Sequence, residues 1–124
     1  MANNPAPGFT KHSGYNIELQ PTDPVNVRAG DQIIANSSSA LSMLEGSSSP
    51  VLYIPFEDVA ANIISKSETT TYCPFKGTAS YWNIVIDGET IADAAWSYEE
   101  PFDEMLAIKG YLAFYPDKVE IQPI

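Results

Sequence analysis

The run Cys73-Pro74-Phe75-Lys76-Gly77 places a thiol three residues before a lysine. Cys73 is the chain's only cysteine, and Lys76 is the only cation between Lys66 and Lys109. A thiol is a strong nucleophile only as the thiolate, and a nearby cation favours that form. Two chemistries follow. Cys73 could act as a nucleophile or redox centre, assisted by Lys76, with Asp58 as acid–base partner. Alternatively, Lys76 could anchor a ligand's carboxylate or phosphate. The plain alternative is a buried structural cysteine, the state of most free cysteines. Two further carboxylates, Glu45 and Asp93, are candidates for proton transfer. Asp93 lies among apolar neighbours that would raise its pKa if they covered it.

Directly after this bend comes the chain's clearest element, a hairpin from Thr78 to Tyr98. Asp87-Gly88 separates two β-rich runs, and both turn positions need positive φ, which this pair supplies. A two-residue turn sets Ile86 opposite Glu89, Ile84 opposite Ile91, Trp82 opposite Asp93 and Tyr81 opposite Ala94. Strand side chains alternate between faces. One face therefore carries Ser80, Trp82, Ile84, Ile91, Asp93 and Ala95. The other carries Ala79, Tyr81, Val85, Ala92, Ala94, Trp96 and Tyr98. Alanines among large aromatics leave room for a groove walled by Tyr81, Trp96 and Tyr98. Such a groove suits a planar or apolar ligand, oriented by hydroxyls and the indole N–H. An element packed onto those alanines would fill it instead. Trp82 is read first as core and second as a ligand contact.

The remaining elements must position this hairpin. Met1 to Gly14, with two prolines and two glycines, reads as a loosely held arm, and residues 15–124 read as a single β-rich domain. His12, in the arm, is the only histidine, so a mechanism needing two is ruled out. Alternation or β-rich composition predicts strands at Tyr15–Gln20, Val25–Arg28, Gln32–Ala35, Val51–Ile54, Tyr111–Tyr115 and Lys118–Gln122. Ala40–Glu45 is short and flanked by serines and glycine, and is read as a strand. Ile63–Thr71 reads as an extended lead into Cys73. Pro101–Gly110 reads as a short helix with Phe102, Met105, Leu106 and the stem of Lys109 on one face. These elements predict a mainly β protein, a small antiparallel sheet assembly with one short helix near the C-terminus.

Composition narrows the function classes. Six basic against 16 acidic side chains give a net charge of −10. That surface repels polyanions, so nucleic acid and anionic membranes are not expected partners. A single cysteine excludes an intrachain disulfide and a Cys-rich zinc site. No stretch approaches the roughly 18 apolar residues of a membrane span. The start, Met1-Ala-Asn-Asn-Pro5, lacks the basic beginning and apolar run of a signal peptide, so the expected compartment is the cytoplasm. No residue pattern calls for a cofactor or a metal.

Four motifs resemble a known family. They are Tyr-Ile-Pro-Phe-Glu-Asp-Val at 53–59, Thr-Thr-Thr-Tyr-Cys-Pro-Phe-Lys-Gly-Thr-Ala-Ser-Tyr-Trp at 69–82, Ala-Ala-Trp-Ser-Tyr-Glu-Glu-Pro at 94–101 and Ile-Lys-Gly-Tyr-Leu-Ala-Phe-Tyr at 108–115. Together they are similar to the small bacterial family known as domain of unknown function 427, which also carries a nucleotidyltransferase-like label. The resemblance implies a compact, mainly β fold related to the β-tent group. Several β-tent proteins hold zinc through cysteine pairs, which this chain lacks, so zinc is not carried over. The transferase label meets a physical objection. Two-metal phosphoryl chemistry needs paired carboxylates on one strand face. The only similar spacing is Asp87-Gly88-Glu89, which is better explained as a turn.

Three functional readings follow. The first is a small-molecule binding domain using Tyr81, Trp96, Tyr98, Trp82 and Lys76. The second is a cysteine-dependent enzyme using Cys73, Lys76 and Asp58. The third is a protein-interaction module or homodimer with exposed aromatics. The first accounts for most of the motif-rich hairpin.

Overall fold

The computed structural model describes residues 4–8, 16–46 and 49–123. Among the described residues ten strands form two antiparallel sheets: β1 (Ile17–Pro21), β2 (Val25–Ala29), β3 (Gln32–Ser37), β4 (Leu41–Glu45), β5 (Val51–Pro55), β6 (Ile64–Cys73), β7 (Gly77–Ile86), β8 (Glu89–Ser97), β9 (Tyr111–Phe114) and β10 (Glu120–Pro123). Seven strands run in the order β1-β4-β5-β9-β8-β7-β6, and three in the order β10-β2-β3. The protein is mainly β, as its alternating patterns predict. Among the described residues no helix is long and apolar enough to cross a membrane.

Alternation sorts the large sheet into two apolar faces. Ile54, Leu112, Phe114, Ala95 and Ile84 point one way, toward Val25, Val27 and Ile34 of the small sheet. Their sequence neighbours Tyr53, Ala113 and Trp96 point the other way, into a second cluster with Met43, Ala79, Tyr98, Met105 and Ile108. Phe114 and Ala113 are both buried although adjacent, because both sheet faces are covered.

The large sheet curls around the second cluster. Lys76, in the β6–β7 turn, reaches Glu45 at the end of β4. Four strand spacings of about 4.8 Å separate β4 from β7 along the sheet. In a flat sheet that gap exceeds the combined reach of the two side chains, so the 2.6 Å contact requires a rolled one.

Asp87 (φ 52°) and Gly88 (φ 79°) form the expected hairpin turn. The register holds from Ile86↔Glu89 to Ile84↔Ile91, then slips, and Trp82 pairs with Ala95 and Tyr81 with Trp96. Trp82 and Tyr81 thus face Ala95 and Trp96 rather than Asp93 and Ala94. Ala92, Asp93 and Ala94 bulge out opposite Asn83. Asp93 takes a left-handed conformation (φ 48°), its N–H donates to Asn83 Oδ1, and its carboxylate accepts from Thr69 Oγ1. The bulge adds an even number of residues, so side-chain parity survives beyond it. Ala94, expected beside Tyr81, instead turns into the first cluster with Ala95.

The expected helix near the C-terminus is two merged 3-10 turns over Asp103–Ile108, broken at Met105 (φ −116°). Six residues without a side-chain cap do not sustain an α-helix. The three-residue period buries Met105 and Ile108 at i, i+3 and leaves Leu106 exposed, where an α-helical period had Leu106 facing inward. Of the N-terminal segment, residues 4–8 lie against this region. Asn4 O accepts from Asp103 N–H, Ala6 N–H donates to Glu104, and Gly8 N–H donates to Pro74 O. His12 lies outside the described residues.

Candidate functional site

Strand parity divides the candidate residues between the two faces of the large sheet. Cys73, Tyr81, Trp96 and Tyr98 meet on the curled face, in the second cluster. The bend therefore overhangs the Tyr81–Trp96 face. Tyr53 meets Trp96 edge-on, Trp96 lies 4.5 Å from the Tyr115 ring centre, and Tyr115 stacks beside Tyr81. Thr71 Oγ1 shares a hydrogen bond with the Tyr81 hydroxyl at 3.0 Å. Burial pushes the Tyr53 and Tyr98 hydroxyls well above the ordinary tyrosine range. Burial and the Tyr81 hydroxyl push Tyr115 up to about 12. The room beside Ala79 is taken: this alanine is 1% exposed and packs with Tyr98, Met105 and Ile108. The 3-10 turns thus cover the Ala79 end of the groove that the alanines suggest, while Ala94 turns into the first cluster and Ala92 lies exposed in the bulge.

The cysteine constellation is not assembled. Lys76 Nζ pairs with Glu45 Oε1, both side chains are largely buried, and its charge is spent on that contact. Asp58 accepts a hydrogen bond from Ser37 Oγ at 2.7 Å, at the small sheet. The next residue, Val59, bridges to Ala35 and belongs to the first cluster, across the large sheet from Cys73. Among the described residues no three of His, Cys, Asp or Glu are grouped to hold a metal ion.

The opposite face holds a cleft of about 340 Å³. Phe56 and Trp82 meet edge-to-face at 5.2 Å and wall it, with Ser97, Tyr98 and Gly110 behind them and Glu99 and Lys109 on the rim. Local structure explains each placement. Pro55 ends β5 and throws Phe56 into a 3-10 turn, where its N–H donates to Gly110 O. Trp82 Nε1 donates to Ser97 Oγ at 2.9 Å, which fixes the indole across the β7–β8 pair. Glu99 accepts from Lys66 and Ser80, and these bonds hold its carboxyl below the usual range. A larger hollow of about 550 Å³ lies between the β2–β3 and β7–β8 turns, where Asp31, Asp87 and Glu89 line it without an aromatic. The Trp82 cleft is the better candidate for a ligand site, because an apolar wall with few polar groups is what small-molecule sites share.

The sequence matches the family model described as Domain of unknown function (DUF427) over residues 18–122. The chain belongs to this family. A search of curated proteins finds no match to this DUF427 domain. All four family-like motifs meet at the cleft: 53–59 supplies Phe56, 69–82 supplies Trp82, 94–101 supplies Ser97, Tyr98 and Glu99, and 108–115 supplies Lys109 and Gly110. Sequence reasoning singled out Trp82 and Tyr98 but missed Phe56, Ser97, Glu99 and Lys109. The available signal was the Pro-Phe step at 55–56 and the Glu-Glu-Pro step at 99–101.

Proposed function

We propose that this DUF427 domain binds a small planar molecule in the cleft walled by Trp82 and Phe56. The observation that carries the reading is a cleft of about 340 Å³ whose walls are two aromatics at fixed angles. Its size falls at the lower end of typical ligand pockets, and its polar groups are few and placed at one rim. The Trp82 N–H bond to Ser97 orients this wall without any ligand. Relative to the sequence-based expectation, Trp82 is kept as a ligand contact, Tyr98, buried in the second cluster, backs the cleft, and Tyr81 and Trp96 lie partly buried on the curled face.

A titration followed by the two indole N–H resonances tests this directly. Trp82→Phe and Trp96→Phe assign the two signals. A panel of planar heteroaromatics should include members that shift the Trp82 signal and raise the melting temperature. A panel that moves neither property, or moves only the Trp96 signal, overturns the proposal.

A further inference from the structure

The cleft carries its own indication of ligand charge. Lys66 reaches over from β6 and sets its ammonium 5.8 Å from the Trp82 ring centre. The same ammonium bonds Glu99 Oε1, which also accepts from Ser80 Oγ at 2.7 Å. An aromatic face, a carboxylate and a hydroxyl that orients it are the parts of an ammonium-recognition site. Here a side chain of the protein itself fills that site. We infer that the ligand class of the Trp82 cleft is a planar aromatic carrying an ammonium group, which displaces Lys66 from Trp82 and Glu99. This rests on the reading of the cleft as a binding site.

Three observations support displacement. Lys66 is 51% exposed and Glu99 46%, and exposed ion pairs of this kind contribute little to stability. A ligand ammonium would keep Glu99 paired with a cation, whereas a ligand carboxylate would sit beside Glu99. Lys109 is the opposing cation on the rim, but it is loosely paired with Glu100 at 3.9 Å. The net charge of −10 further favours the approach of cations.

Tryptamine, indole and indole-3-acetate share a ring system and differ in charge, so they serve as probes. Tryptamine is expected to bind the full chain at least about tenfold more tightly than indole-3-acetate. Lys66→Met should tighten tryptamine binding, and Glu99→Gln should remove the preference for the cation. Melting temperatures of both variants confirm folding. Equal affinities, or a preference for indole-3-acetate, overturn the charge inference and leave the cleft standing as a site. Failure of all three probes to bind, in wild type and in Lys66→Met, removes the inference.

Discussion

Lys76 and Glu45 form an ion pair of 2.6 Å although three strands, β5, β9 and β8, lie between the elements that carry them. The pair acts as a clasp on the rim of the rolled sheet. Beneath it lie Tyr53 and Tyr98, whose hydroxyls feel the Glu45 charge.

Breaking the clasp should loosen the roll. Lys76→Met leaves a largely buried carboxylate without its cation, and such a loss costs about 1–3 kcal/mol. Urea unfolding of the variant measures it. An unchanged midpoint would mean that the sheet is held curled by the second cluster alone.

Gly77→Ala tests the neck of the bend. Gly77 has φ 125°, and an added Cβ would sit 3.3 Å from Glu100 O and 3.5 Å from Pro101 Cα. That backbone is pinned by Phe102 N–H donating to Lys76 O at 2.9 Å. Strain at such a position costs about 1–3 kcal/mol. Thermal denaturation should show a lower melting temperature, with the 3-10 region the first to lose protection in hydrogen exchange.

Alkaline pH should unfold the protein through its buried phenols. Tyr53, Tyr98 and Tyr115 are all raised above the ordinary value by burial. Unfolded tyrosine ionises near pH ~10. Above that value the unfolded chain loses protons that the folded chain keeps, so stability is full below pH ~10 and falls as pH rises toward the folded values. Tyrosinate absorbance of these three residues should appear together with loss of the far-ultraviolet circular dichroism. Ionisation of all seven tyrosines with the fold intact would contradict the burial argument.

The bulge at Asp93 makes a sharper test than its size suggests. Asn and Asp tolerate the left-handed conformation better than Ala does. Asp93 also accepts hydrogen bonds from Ser67 and Thr69, which lower its pKa. Asp93→Ala should therefore lower the melting temperature more than Asp93→Asn. The carboxylate's contribution is present above the unfolded pKa of about 4 and fades as pH falls through its lower folded value. At pH 3 the gap between wild type and Asp93→Asn should narrow.

Much of the fold could be read from local pattern. Asp87-Gly88 specifies the hairpin because few residue pairs accept two positive φ values. Alternation in Val25–Arg28 and the β-rich run Val51–Ile54 specify strands because the side-chain period of a strand is two. Local pattern also told Trp82 from Trp96 by face, since parity along β7 and β8 decides it. The bulge escaped notice because it adds two residues to β8 without changing parity, so no alternation is broken. The 3-10 turns escaped because three- and four-residue periods diverge by a single position over so short a run.

The site was decided by contacts far apart in sequence. Cys73, Lys76 and Asp58 looked like one constellation, yet the roll of the large sheet gives Lys76 to Glu45, and the packing of β3 gives Asp58 to Ser37. Phe56 reaches Trp82 only because Pro55 ends β5 beside β9, and Lys66 reaches it only because β6 is the outer neighbour of β7. Local chemistry determined which segments are strands and which face each aromatic takes. Which charges neutralise each other, which alanines are covered and where a cleft stays open depend on strand order and sheet curvature, and these are set by the whole chain at once.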